Sequence, residues 1–247
     1  QGEINLNAST TGGLEVQANP NLGIFSAINN GTINGNASKQ VALTLTPEGG
    51  QGNYTGSVHT LQNNSTITMI GDDSTAINIV NFKETTGKNT NSASSTGFKN
   101  DLKTVAINAG TITLNGKNSY GIAFGALDGT GSRVSELKDN SVFRNQSTIN
   151  INGDSSGGIA VKLAKSWSGA GTIGGTLENV SGGTITIKGK NSFGIYTEEI
   201  SGTNSGNINI EGTKDYSIAL RANKTGTVTP TLTNNGTITI SSTGKEN

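Results

Sequence analysis

Along this chain, apolar residues alternate with threonine and asparagine in short bursts, as in Thr111–Ile112–Thr113–Leu114. A period of two marks a β-strand with one buried face. The bursts repeat. TITMIGDDSTAINI, TITLNGKNSYGIAF, TININGDSSGGIAV, TITIKGKNSFGIYT, NINIEGTKDYSIAL and the terminal TITISSTG share the frame T-I-x-I-x-G-x-x-S-x-G-I-x-Φ, where Φ is apolar. The leading apolar residues are Ile67, Ile112, Ile149, Ile185, Ile208 and Ile238, and two weaker copies precede them, led by Ile4 and Ile33. Self-similarity of this kind is the signature of a solenoid, in which each repeat buries its apolar face only by stacking on the next.

A second apolar residue follows the leader by ten positions in seven copies: Ile4/Leu14, Ile33/Leu43, Ile67/Ile77, Ile112/Ile122, Ile149/Ile159, Ile185/Ile195 and Ile208/Ile218. Gly116 and the polar residues after it make a turn, and a second strand follows with Ile122 and Phe124 inward. A third apolar position lies six or eight residues before the leader, at Leu61, Ala106, Phe143, Leu177, Ile200 and Leu232. Three short strands therefore make one coil. Asparagine recurs four residues before the leader, at Asn29, Asn63, Asn108, Asn145, Asn204 and Asn234. Asn suits tight turns, and stacked coils would set these amides in a ladder.

The predicted fold is all-β: a right-handed parallel β-helix of about eight coils, with residues 1–247 as a single segment. Leader-to-leader distances of 29, 34, 45, 37, 36, 23 and 30 argue against the left-handed hexapeptide helix, which has a strict short period. The length variation falls between the second and third strands, as insertions at 46–60, 81–105, 125–142, 162–176 and 221–231, while Glu198 and Glu199 alone separate those strands in the tightest coil. One phase of a solenoid repeat is one side of the rod, so the insertions are expected to form a wall of loops along one face. Loops on a rigid scaffold are where binding residues concentrate.

Composition agrees with a thin core: apolar residues are 31%, aromatics 4%, and glycine numbers 36. Lysine plus arginine balance aspartate plus glutamate at 17 each, which gives nucleic acid no basic face. There is no cysteine, hence no disulfide framework or thiolate metal site. No apolar run approaches the length of a membrane-spanning helix, so this segment is not expected to insert into a bilayer. The pattern opens and stops in mid-repeat with no capping repeat, as expected of a piece of something longer, and bare ends favour end-to-end self-association.

Candidate chemistry is sparse. Asp72, Asp73, Asp154 and Asp215 fall in the turn after the first strand, where a β-helix polysaccharide lyase or hydrolase would cluster its carboxylates. Lys117 and Lys190 occupy the same turn in the intervening coils, which argues for a solvated ridge. His59, the single histidine, has no G-x-S-x-G near it and reads as an exposed loop residue. N-x-S/T sequons open at Asn30, Asn145, Asn179 and Asn235, an expected accident of turn asparagines among threonines. Trp167, the single tryptophan, sits within an insertion, either as an anchor for a partner or folded back on the outer sheet. Lys83, Lys88, Arg133 and Lys165 share the loop wall with it and would meet an acidic partner, or remain scattered solvated charge.

The repeated N-x-G-T-I-x-I-x-G-x-x-S-x-G-I frame, clearest from Asn108 to Gly244, resembles the passenger region of the large type V autotransporter adhesins of fusobacteria, the RadD-like group. That resemblance implies display on the bacterial outer membrane through a C-terminal barrel, and adhesion to a host or bacterial surface protein or glycan, with roles in coaggregation and virulence. It transfers no binding residue. The expected function is a surface adhesin segment with no catalytic residues, metal or cofactor, and with Lys83, Lys88, Arg133, Lys165 and Trp167 as candidate binding residues. The alternatives are a carbohydrate-active enzyme and a non-binding stalk.

Overall fold

A computed structural model of the chain describes residues 2–18, 26–47, 58–79, 103–125, 141–162, 175–198, 200–212, 216–223 and 229–241. The described residues are strands and turns, without a helix. The first coil is β1 (Glu3–Leu6), β2 (Gly12–Ala18) and β3 (Ser26–Asn29), and the second is β4 (Thr32–Gly35), β5 (Val41–Pro47) and β6 (Val58–Asn63). The third is β7 (Thr66–Met69), β8 (Thr75–Ile79) and β9 (Lys103–Asn108). The fourth is β10 (Thr111–Leu114), β11 (Tyr120–Gly125) and β12 (Val142–Asn145). The fifth is β13 (Thr148–Ile151), β14 (Gly157–Lys162) and β15 (Thr176–Asn179). The sixth is β16 (Thr184–Ile187), β17 (Phe193–Thr197) and β18 (Ser201–Asn204). The seventh is β19 (Asn207–Ile210), β20 (Ile218–Ala222) and β21 (Leu232–Asn234), and β22 (Thr237–Ile240) opens an eighth.

Every third strand pairs in parallel. Sheet one has eight strands from β1 to β22, and sheets two and three have seven each, β2 to β20 and β3 to β21. This is the parallel β-helix that the periodicity predicts, with three strands per coil. In sheet one the leaders stack as a column, Ile4, Ile33, Ile67, Ile112, Ile149, Ile185, Ile208 and Ile238. From Ile33 to Ile208 these side chains are completely buried and belong to one continuous core. Each such burial contributes roughly 1.5–3 kcal/mol.

Two columns of polar side chains hold the corners. At the corner between sheets three and one, the Nδ2 groups of Asn29, Asn63, Asn108, Asn145, Asn179 and Asn204 each donate to the Oδ1 of the next asparagine, ending on Asn234, at 2.7–2.9 Å. The ladder is as expected but includes Asn179, which lies six residues before its leader. Two extra residues at that corner leave Asn179 in register with Asn145 and Asn204, and they turn through Gly182 at φ +91. Asn145 and Asn179, both within sequons, are buried in the ladder.

At the corner between sheets one and two, the frame's serine makes a second ladder. The backbone N–H groups of Gln40, Ser74, Ser119, Ser156 and Ser192 donate to the hydroxyls of Ser74, Ser119, Ser156, Ser192 and Ser217 at 3.0–3.2 Å. Gly71, Gly116, Gly153 and Gly189 turn this corner where a Cβ would lie within 2.0 Å of the preceding coil's carbonyl oxygen. After them, Thr10, Lys39, Asp73, Asn118, Ser155 and Asn191 take left-handed backbone at φ 52–62, and the first five aim their N–H at a carbonyl of the next coil. The frame serine was visible in the sequence; this role was not.

The register corrects the sequence reading in two coils. Ile195 pairs with Leu220, while Ile218 pairs with Phe193 and is 42% exposed, so the ten-residue spacing fails in the seventh coil. Leu177 pairs with Gly202, so Ile200, although buried, lies ahead of β18 and outside the third-strand column.

Candidate functional site

The third corner, between sheets two and three, is where coils differ. The chain leaves sheet two and re-enters sheet three across residues 19–25, 48–57, 80–102, 126–141, 163–175, 198–200 and 223–231. These connections all begin and end at one corner of the rod, as the sequence predicts. Their bounds are narrower than expected, because strands extend into both ends: Thr46 and Pro47 lie in β5, Val58 to Thr60 in β6, and Lys103 to Val105 in β9. The first connection, 19–25, belongs to the same set and carried no insertion signal. Lys83, Lys88, Arg133, Lys165 and Trp167 all lie outside the described residues.

His59 is not an exposed loop residue. It lies in β6, is fully buried, and stands in register with the buried Thr104, whose N–H donates to the Ser141 hydroxyl at 3.1 Å. Burial pushes its imidazole below the ordinary value of 6.5, favouring the neutral ring. A lone polar residue in a strand gives no sign of its facing. Here it joins a column that is polar in the two following coils.

Among the described residues the aspartates form no cluster. In the turn between sheets one and two, Asp72, Lys117, Asp154 and Lys190 follow one another coil by coil. Asp72 Oδ1 accepts from the Lys117 N–H at 2.8 Å, and Asp154 Oδ1 accepts from the Lys190 N–H at 2.9 Å. These carboxylates cap the next turn, and the alternating charge avoids like-charge stacking. Asp215 lies outside the described residues. Among the described residues no three His, Cys, Asp or Glu side chains are grouped to hold a metal ion.

The sequence reading missed an aromatic cluster on the outer face of sheet two. Tyr120 and Phe193 have ring centroids 6.0 Å apart, and Phe193 and Tyr196 are 5.1 Å apart, packed on Ala123 and Ala160. Arg221 lies 5.7 Å from the Tyr196 ring centre, and the Tyr196 hydroxyl donates to Glu198 Oε1 at 2.5 Å. Desolvation, then the Glu198 hydrogen bond, push the Tyr196 phenol up to about 12, so it remains a donor at neutral pH. Glu198 begins the shortest connection, so this cluster borders the variable corner at its shortest crossing. Its signal was the aromatic at the variable positions of the second strand, at Tyr120, Phe193 and Tyr196.

No family model, curated protein or solved structure matches this chain.

Proposed function

We propose that this chain is a segment of a bacterial cell-surface adhesin, a passenger region displayed outside the outer membrane, whose β-helix is a rigid spacer. Its connections between sheets two and three form the binding face for a protein or glycan on a host cell or partner bacterium. The observation behind this reading is the contrast in chain length. Sheet one keeps its four-residue strands and one register from coil to coil, while the connection at one corner ranges from residues 198–200 to residues 80–102. A scaffold held fixed beside loops of free length is the usual arrangement of a repeat protein that binds through one edge.

The test is binding of the soluble protein to intact host cells and partner bacteria. It is compared with a variant in which 80–102 and 126–140 are replaced by short turns. Loss of binding with an unchanged circular dichroism spectrum is the expected result. Binding that survives both replacements moves the adhesive surface to the sheets. An intact protein that binds no cell identifies a stalk.

A further inference from the structure

The outer face of sheet one differs from every other polar surface described above. Its outward positions form two columns in register. The first runs Thr32, Thr66, Thr111, Thr148, Thr184, Asn207 and Thr237. The second runs Asn34, Thr68, Thr113, Asn150, Thr186, Asn209 and Thr239. From β4 to β22 no charged side chain enters either column, and none of these residues is buried. The asparagine and serine ladders spend their hydrogen-bonding groups inside the rod. The threonine hydroxyls do not: among the described residues none of them bonds to another protein group.

The spacing of this array follows from the fold. Neighbouring strands lie about 4.7–4.9 Å apart, and alternate residues of one strand about 6.6–6.8 Å apart. Twist would ordinarily fan such an array, but side-chain ladders hold sheets flat. The asparagine ladder, with steps of 2.7–2.9 Å, runs along the edge of this sheet. Each threonine presents a methyl and a hydroxyl on a stiff, β-branched side chain, so little rotamer freedom remains to be lost on binding. Both repeats are close to those between equivalent oxygens on a prism face of hexagonal ice. On such a surface the methyls would order the adjoining water and the threonine hydroxyls would anchor it at lattice positions, while the Asn34 amide already donates to Asn5 and Glu3.

We infer that the two-column threonine and asparagine face of sheet one binds ice. Its ligand is the ordered water of a crystal surface, met over several coils at once. This face is separate from the variable corner and does not depend on the adhesin reading.

The test uses fluorescently labelled protein, an ice hemisphere grown from its solution, and recrystallisation of polycrystalline ice. The intact protein is expected to coat the ice and slow recrystallisation at micromolar concentration. Thr111→Lys, which lifts a long cation out of the array, is expected to reduce the ice-bound fraction by about tenfold or more, a clash being the efficient way to refuse a flat partner. Thr113→Ser, which keeps the hydroxyl and removes the methyl, is expected to weaken it less. Both positions face solvent, and an unchanged circular dichroism spectrum verifies the fold. Lys117→Ala, on the neighbouring turn, and the variant with shortened connections are expected to bind ice like the intact protein. Exclusion of the intact protein from growing ice overturns the proposal. So does equal binding by Thr111→Lys, or loss of binding on shortening the connections.

Discussion

Two corners of the same coil treat added residues in opposite ways. At the asparagine corner, six of the seven coils pass from ladder asparagine to the next strand in the same short step. The fifth coil's two-residue insertion, carried by Gly182, leaves Asn179 bonded on both sides. At the corner between sheets two and three, connections change length freely and the strands on either side stay in register. A buried side-chain ladder fixes one corner because any slip strands amide groups away from water. Among the described residues the other corner carries no such continuous ladder, and it is there that length varies most. The ladder corners take at most two added residues, and the large differences in length fall at the corner between sheets two and three.

Breaking the ladder has the largest expected effect. Asn108 accepts from Asn63 and donates to Asn145 Oδ1 and the Thr148 carbonyl, entirely buried. Asn108→Leu leaves buried partners unsatisfied on both sides, and a loss of about 2–4 kcal/mol is expected, read as a lower denaturation midpoint. Stability within experimental error of the parent would mean the ladder is decoration.

A smaller effect lies at the start of the third sheet's strand. The folded state holds the His59 imidazole below its ordinary value of 6.5. Between that ordinary value and the lower folded one, the unfolded chain binds the extra proton and the native rod does not. Stability is therefore present above pH 6.5, is lost as pH falls from there toward the folded value, and levels off below it. Urea midpoints across mildly acidic pH would show this slope, and His59→Gln should flatten it. A slope of the same size in the variant would assign it to other groups.

The smallest effect sharpens the contrast from the other side. Replacing 80–102 with a short turn should change stability by less than about 1 kcal/mol, because loop-closure entropy grows only slowly with length. Denaturation curves that shift by several times that amount would show that the connection packs into the rod and is not free in length.

Much of this fold was legible in the sequence, and its failures of register share one cause. The leader column, the asparagine ladder and the placement of insertions all follow from alternation and repeat. The misses at Ile218 for Leu220, at Ile200 for Gly202 and at Asn179 are each displaced by two residues. A strand's period is two, so a shift of two preserves the inward and outward pattern and leaves the sequence unable to choose. Pairing with the neighbouring coils decides it: Leu220 lies beside Ile195, and Gly202 beside Leu177 and Leu232. His59 and the aromatic cluster were hidden for a different reason. Each depends on which side chains stand next to it along the axis, and the distances between coils in sequence are too unequal for that to be read directly. The candidate binding residues of the connections are untouched by these register arguments.

The asparagine ladder also gives the rod a direction. At each of the six steps between Asn29 and Asn234 the Nδ2 donor belongs to the earlier coil and the Oδ1 acceptor to the later one. The side-chain amides are thus a file of aligned dipoles, the counterpart in a β-solenoid of a helix's summed peptide dipole. A coil joining beyond Asn234 has to offer an acceptor, and one joining ahead of Asn29 a donor. Stacking that continues the ladder is therefore head-to-tail, and the column of amides has two chemically different ends.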